Sequence, residues 1–256
     1  MNGNLIYFSP TYTTKKIVKL VGEHIFTNTI EFDITILSEK NKGLAFSEND
    51  FVILGIPVYS GRVPKLAKGI ISMMHGNHTP IALIATYGNR HFDDSLLELK
   101  TIVQSNGFLC IAAAAFVTEH SVVRKFGAGR PNHEDIAEVH NFSELLKNTI
   151  NSWDKAAHID LSIPGNQIYR AYKSIPMKPH ATSKCTKCGL CAKNCPAVAI
   201  PFDNPRRTDK RKCVTCVRCI RICPQKARRF YAIETFIAEK SLAKLCQEYK
   251  KAKVFI

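Results

Sequence analysis

Eight of the ten cysteines sit in two runs of identical spacing. The first is Cys185-Thr186-Lys187-Cys188-Gly189-Leu190-Cys191, closed by Cys195-Pro196. The second is Cys213-Val214-Thr215-Cys216-Val217-Arg218-Cys219, closed by Cys223-Pro224. Three thiolates at such intervals can wrap one end of an iron–sulfur cube. The fourth, set off by three residues and followed by Pro, points away and ligates a neighbouring cube. This spacing assigns Cys185, Cys188, Cys191 and Cys223 to one [4Fe–4S] cluster, and Cys213, Cys216, Cys219 and Cys195 to a second. Structural zinc on paired hooks is the competing chemistry. Zinc needs four ligands and has no use for a third regularly spaced Cys plus a Cys-Pro in each run.

A second set of chemistry-bearing residues lies near the start of the chain. The apolar run Leu5-Ile6-Tyr7-Phe8 leads into Ser9-Pro10-Thr11-Tyr12-Thr13-Thr14, and a helix is expected from Lys15 to Val21. Strand, hydroxyl-rich loop and helix N-terminus together offer N–H groups, hydroxyls and a favourable dipole to an anion. No GK[ST] follows, so this is not a Walker loop. An ordinary N-cap by Thr13 or Thr14 would account for the same residues.

Further strands are expected over 31–37, 50–56, 81–86 and 108–117. The last three are continuous apolar runs of the kind buried on both faces of a parallel sheet. Helices are expected over 65–74, 94–105 (capped by Asp93) and 134–155. Five strands alternating with helices make a doubly wound α/β domain, with its ligand outside the carboxyl ends of the strands. Two more loops reach that rim: Pro57-Val58-Tyr59-Ser60-Gly61-Arg62, and Thr86-Tyr87-Gly88-Asn89-Arg90-His91-Phe92. Tyr59 and Tyr87 each follow a strand, where an aromatic is expected to have no core to fill. Two aromatic faces and an anion loop on one rim suit a flat ring carrying a phosphate.

On these residues the first domain resembles a flavodoxin. The Ser9-x-Thr11-x-x-Thr14 loop is similar to the FMN-phosphate loop, with Pro10 and Tyr12-Thr13 where Gly and Gly-Asn are frequent. The resemblance implies FMN, with its phosphate on Ser9, Thr11, Thr13 and Thr14 and with Tyr12 also among the cofactor-binding residues. It also implies that loops 57–62 and 86–92 clasp the isoalloxazine. With the Cys runs, the chain resembles the flavodoxin–ferredoxin fusions of the EFR family: a flavodoxin-like five-stranded parallel sheet, then a small α+β bacterial 2[4Fe–4S] ferredoxin domain and a C-terminal helix. The expected boundaries are 1–158 for the flavodoxin-like domain, 159–176 for a linker, 177–232 for the ferredoxin domain and 233–256 for the helix. The buried side of that helix is expected to be Phe236, Ile237, Leu242, Leu245, Cys246 and Tyr249. Arg62 is expected to set positive charge beside the flavin, and His91 is a possible donor to the ring. Loop 118–131 either covers the flavin, meets the second domain, or is a plain solvated basic loop.

Charge is unevenly placed. Residues 1–160 carry 15 Lys+Arg and 16 Asp+Glu; residues 161–256 carry 21 and 5, so the halves are −1 and +16 and sum to +15. Eight ligand thiolates and two oxidised cores would leave the second half near about +12. Such a half attracts something acidic, and an acidic redox protein is the expected partner. The basic residues are not interleaved with stacking aromatics, which argues against nucleic acid. Cys110 and Cys246 lie in apolar stretches and read as buried thiols. Reduced thiols and cluster ligands point to the cytoplasm. The N-terminus has no basic signal-like region, and the longest apolar run, 108–117, is too short to span a bilayer. The expected function is electron transfer between two clusters and FMN, linking one-electron and two-electron carriers with no side-chain nucleophile or base. A flavin-dependent reductase of a small substrate, fed by its own clusters, is the alternative.

Overall fold

A computed structural model describes residues 2–36, 38, 42–153, 161–173 and 175–256. In chain order the elements are β1 (Asn2–Tyr7), α1 (Thr13–Ile25), β2 (Thr29–Asp33), β3 (Ala45–Phe46), β4 (Asp50–Pro57), α2 (Lys65–Ile71), β5 (His75–Gly76), β6 (Thr79–Tyr87), α3 (Ser95–Ser105), β7 (Phe108–Val117) and α4 (His133–Ser152). Then follow β8 (His180–Ala181), α5 (Leu190–Lys193), α6 (Arg218–Arg221), β9 (Arg228–Arg229), α7 (Ala232–Ala243) and β10 (Lys253–Phe255). The second strand covers 29–33 rather than the expected 31–37, the chain turning at 34–36, and α4 ends at Ser152 short of the expected Lys155; Leu37, Lys155 and the first-domain boundary at 158 themselves lie outside the described residues.

The main sheet runs β10-β7-β6-β4-β1-β2. Its five long strands are parallel, in the flavodoxin-like order, and the order reverses at β1. Side chains alternate between the two faces, as the strand period of two demands. Ile6, Phe8, Leu54 and Ile56 pack with α2 and α3. Leu5, Tyr7, Phe51 and Ile53 pack with Ile17, Val18 and Val21 of α1 and with α4. Gly55 lets α1 approach, since a Cβ there would lie 2.2 Å from Val18 Cγ2. Both faces are therefore covered, which is what a parallel sheet needs.

Two findings depart from expectation. The sheet has a sixth strand: β10 pairs antiparallel with β7, Val254 opposite Ala114. The C-terminal helix accordingly stops at Ala243, and Phe236, Ile237, Leu245 and Tyr249 are exposed while Cys246 is buried. Beyond the helix, Asn89 Nδ2 donates to the Cys246 and Glu248 carbonyls at 2.8 and 2.9 Å. Those carbonyls are drawn out of any helical ladder.

The second departure is the connector. Its described part, 161–173, lies on the first domain: Leu161 and Ile163 are buried. Asp94 accepts hydrogen bonds from the Asn166 and Arg170 N–H groups at 3.0 and 2.8 Å. Asp94, not Asp93, is the N-cap residue of α3; its side chain makes no cap bond because it holds the connector. The Cys110 thiol is buried, as read from the sequence.

Candidate functional site

The two Cys runs fold as two copies of one unit. Adding 28 to a residue number in the first run gives its counterpart in the second (185 to 213, 195 to 223). Positive φ recurs at Lys187 (59°) and Thr215 (56°), at Gly189 (75°) and Val217 (67°), and at Val198 (48°) and Lys226 (47°). Each fourth Cys accepts a backbone N–H: Ala199 N to Cys195 Sγ and Ala227 N to Cys223 Sγ, both 3.3 Å. Such bonds orient a sulfur and stabilise negative charge on it. The β8–β9 pair ties the unit's two ends, His180 opposite Arg229.

Cys195, Cys213, Cys216 and Cys219 line one cavity, together with Pro179, Thr208 and Arg218. The fourth Cys of the first run thus meets three of the second. Burial pushes the Cys216 thiol up to about 12, and the neighbouring Cys219, Cys195 and Cys213 sulfurs add to it. Burial does the same at Cys219, also to about 12, against the pull of Arg228. A cationic iron–sulfur core at this point would take the thiols as thiolates and offset their mutual repulsion. Among the described residues, no three His, Cys, Asp or Glu side chains gather tightly enough for a single ion. A cubane holds its ligands at separate corners, farther apart than a single ion does. Of the other set, Cys191 is buried, Cys185 and Cys223 are half-buried and Cys188 is exposed.

The loop between β1 and α1 is held by its own hydroxyls. Ser9 Oγ accepts the Lys15 N–H (3.0 Å), and Thr14 Oγ1 lies 2.8 Å from Thr86 Oγ1. The expected side-chain cap by Thr13 or Thr14 does not form. Tyr12, at φ 67°, occupies the N-cap with no side-chain bond. The first-turn N–H groups of Thr13 and Thr14 therefore have no intrahelical acceptor. The hydroxyls of Thr11 and Thr13 stand 3.5 Å apart beside them.

Loop 57–62 closes as a tight turn. Tyr59 and Arg62 exchange both backbone hydrogen bonds at 3.1 Å, with Ser60 at φ 55° and Gly61 at φ 77°. Positive φ at both central residues is the two-residue hairpin geometry, which suits Gly61. Val58 N donates to Thr86 O, joining this loop to β6. Burial, and then the charge of the Cys216 sulfur, hold the Tyr59 phenol pKa well above the ordinary value.

Several expected ring contacts are engaged elsewhere. Arg62 is buried; its Nε and Nη2 donate to the Glu98 carboxylate, both at 2.7 Å, and its guanidinium lies between the Tyr169 and Tyr172 rings. It is not a free cation at the rim. Tyr87 and Phe92 are core residues in edge contact, which overturns the reading of Tyr87 as an aromatic without a core. Asn89 holds the C-terminal segment. Arg90 pairs with Asp93, and exposed His91 stacks on Phe92 with its Nδ1 accepting the Asp93 N–H.

Loop 118–131 is anchored at both ends, with Arg124 and Lys125 exposed in its middle. His120 lies against Gly88, and burial, with Arg90 adding to it, lowers its pKa to about 4. Arg130 is clamped by Asp135 and covers the Tyr249 ring at 4.3 Å. Glu119 faces Arg221 of α6 at 3.9 Å, and Lys125 pairs with Glu239 of α7 at 2.6 Å. The loop thus meets the second domain.

One residue outside the expected set links the two sites. Arg218, on α6 between Cys216 and Cys219, is buried with Nη1 3.4 Å from the Ser9 carbonyl. Its guanidinium lies 5.1 Å from the Tyr12 ring centre, and its Nε has no hydrogen-bond acceptor among the described residues. The repeat offered a signal: Arg218 stands where the first copy has Leu190.

Residues 177–228 match the 4Fe-4S dicluster domain family. No curated protein matches the chain. Among solved structures, the chain is similar to a flavodoxin from the domain Archaea, at 11% identity over 59% of this chain and 99% of that one, TM-score 0.42. It is similar to oxidised Flavodoxin 1 from Bacillus cereus at 13% over 60% and 100%, TM-score 0.44. It is also similar to the apo form of an NADH:FMN oxidoreductase at 15% over 62% and 94%, TM-score 0.45. The fold assignment rests on the strand order: a flavodoxin-like domain is joined to a 4Fe-4S dicluster domain.

Proposed function

We propose that the chain is an electron-transfer flavoprotein, passing electrons between two [4Fe–4S] clusters and FMN. One observation carries this reading. The Cys213–Cys219 run reaches the strand-end loops: Arg218, between Cys216 and Cys219, has its Nη1 3.4 Å from the Ser9 carbonyl. A cluster there would be next to whatever the rim holds, so the two sites form one path.

The residues present fit a flavin phosphate. The Thr13 and Thr14 N–H groups and the Thr11 and Thr13 hydroxyls would bind it, with Ser9 and Thr14 shaping the loop. When bound, FMN stores one or two electrons and so couples single-electron clusters to two-electron carriers. Tyr59 would shield the gap between ring and cluster from water. The set Cys185, Cys188, Cys191 and Cys223 would hold the outer cluster, with Cys188 exposed toward a partner. Cys195, Cys213, Cys216 and Cys219 would hold the inner one. Arg206, Arg207, Lys210, Arg211 and Lys212 are all exposed and suit an acidic redox protein.

Anaerobic purification followed by iron, sulfide and flavin analysis tests the reading. It expects about two cubane clusters and one FMN per chain. Zinc with no iron overturns the whole reading; full iron with no flavin overturns its flavin half.

A further inference from the structure

The two copies of the Cys unit differ sharply at one buried position. Ile200, in Cys195-Pro196-Ala197-Val198-Ala199-Ile200, is buried in an apolar cluster with Cys191 and Ala192. Its counterpart in Cys223-Pro224-Gln225-Lys226-Ala227-Arg228 is Arg228, only 2% exposed. Packing alone does not call for an arginine there, since the first copy fills the slot with a hydrocarbon.

Carbonyls and a hydroxyl hold the Arg228 guanidinium. Nη1 donates to Pro205 O at 2.7 Å and Nη2 to Pro179 O at 3.1 Å and to Thr208 Oγ1. Pro205 O is also the carbonyl that Cys191 Sγ approaches, at 3.8 Å. Pro179 and Thr208 line the cavity of Cys213, Cys216 and Cys219. The same cation therefore touches the surroundings of both thiol sets.

Two features suit an anion beside Arg228. The Nε–H is buried with no hydrogen-bond acceptor among the described residues, and the partners of the guanidinium are carbonyls and a hydroxyl, not a carboxylate. A buried charge without a counter-charge is costly, and neutral carbonyls do not cancel it. An anionic cluster on either side would.

We propose that Arg228 is a shared counter-cation set between the two clusters, raising the reduction potential of both. The inference rests on the two-cluster reading above. Reduction adds one negative charge to a cluster, so a fixed positive charge nearby favours the reduced state. Being buried, it acts with little screening by salt.

The test is an EPR-monitored redox titration of anaerobically purified, iron-replete protein. Arg228→Met removes the charge and keeps the bulk; Arg228→Lys keeps the charge with fewer donors. Arg229→Gln, at the exposed neighbour on β9, is the surface control. Both midpoints are expected to fall in the Met variant and fall less in the Lys variant. They should stay near wild type in the control, with the same offsets at low and high salt. Unchanged midpoints, or a fall in one cluster alone, overturn the proposal. If the Met variant loses iron, the ranking of wild type, Arg228→Lys and Arg228→Gln decides by the same criterion. An iron count for a single cluster overturns the underlying two-cluster reading instead, and the iron assay alone tells the two failures apart.

Discussion

Glu98 is fully buried on α3 and accepts two hydrogen bonds from Arg62, a third from the Val63 N–H and a fourth from Lys68. Burial alone would raise its pKa; Arg62 and the Val63 N–H outweigh burial and leave it lowered. Removing one partner of a buried pair costs about 3–5 kcal/mol, because the remaining charge is stranded. Arg62→Ala should therefore lower stability by about that much in urea melts at neutral pH. The sign of the pH effect follows from the lowered carboxyl. The contribution is complete above the unfolded value of about 4.3 and fades as pH falls through the lower folded value. The gap between wild type and variant should shrink as melts are taken from pH 7 to acid. An equal gap at every pH would show that the ion pair is not its source. The flavin potential should barely move in this variant, since the guanidinium is spent on Glu98. That Arg62 belongs to a loop following a strand was legible. Its partner was not, because Glu98 lies 36 residues away on another element and only tertiary packing joins them.

Short elements with repeated backbone geometry carry the Cys units, and there the sequence was most informative. Spacing alone placed Cys195 with the second run, and the structure gathers Cys195, Cys213, Cys216 and Cys219 around one cavity. If these are ligands, Cys195→Ser should damage the inner cluster and spare the outer one, which keeps Cys185, Cys188, Cys191 and Cys223. EPR of the reduced variant should show one spectrum lost or altered; loss of the outer cluster alone would reverse the assignment. Four of the five parallel strands were equally legible, because apolar runs buried on both faces leave few alternatives, whereas the exposed edge strand β2 lies two residues before its expected start. The last strand was not. Leu242, Leu245, Cys246 and Tyr249 have helical spacing, and β10, only three residues long, covers the edge of β7. Asn89 holds the segment before it, and a side-chain amide capturing two distant carbonyls leaves no periodic trace. The buried arginines 218 and 228 were visible only as breaks in the 28-residue repeat, a signal that emerges once the two copies are aligned.

At the scale of the whole molecule, the charge division falls on the functional division. The half carrying the Cys runs holds +16 of formal charge against −1 for the rest. The surface run Arg206, Arg207, Lys210, Arg211 and Lys212 is interrupted only by Thr208 and Asp209, and Asp209 is occupied in accepting the Arg211 and Lys212 N–H groups. Arg206 also donates to Thr182 O at 3.2 Å, three residues before Cys185, so the patch adjoins the outer thiol set. An acidic protein docked there would deliver or collect electrons at the exposed Cys188 end, with the inner cluster and the rim behind it. Long-range steering of this kind is screened beyond about 8–10 Å at moderate salt. The rate of electron transfer with acidic redox proteins should therefore fall steeply as salt is raised. Changing the five residues together to Gln should flatten that dependence while leaving iron content intact, because none of them is a thiol neighbour in the cavity. A rate indifferent to salt, or a slope unaltered by the five substitutions, would strip the patch of a docking role. Tight duplex-DNA binding at the same salt, with no protein accepting electrons, would turn the basic half toward nucleic acid instead.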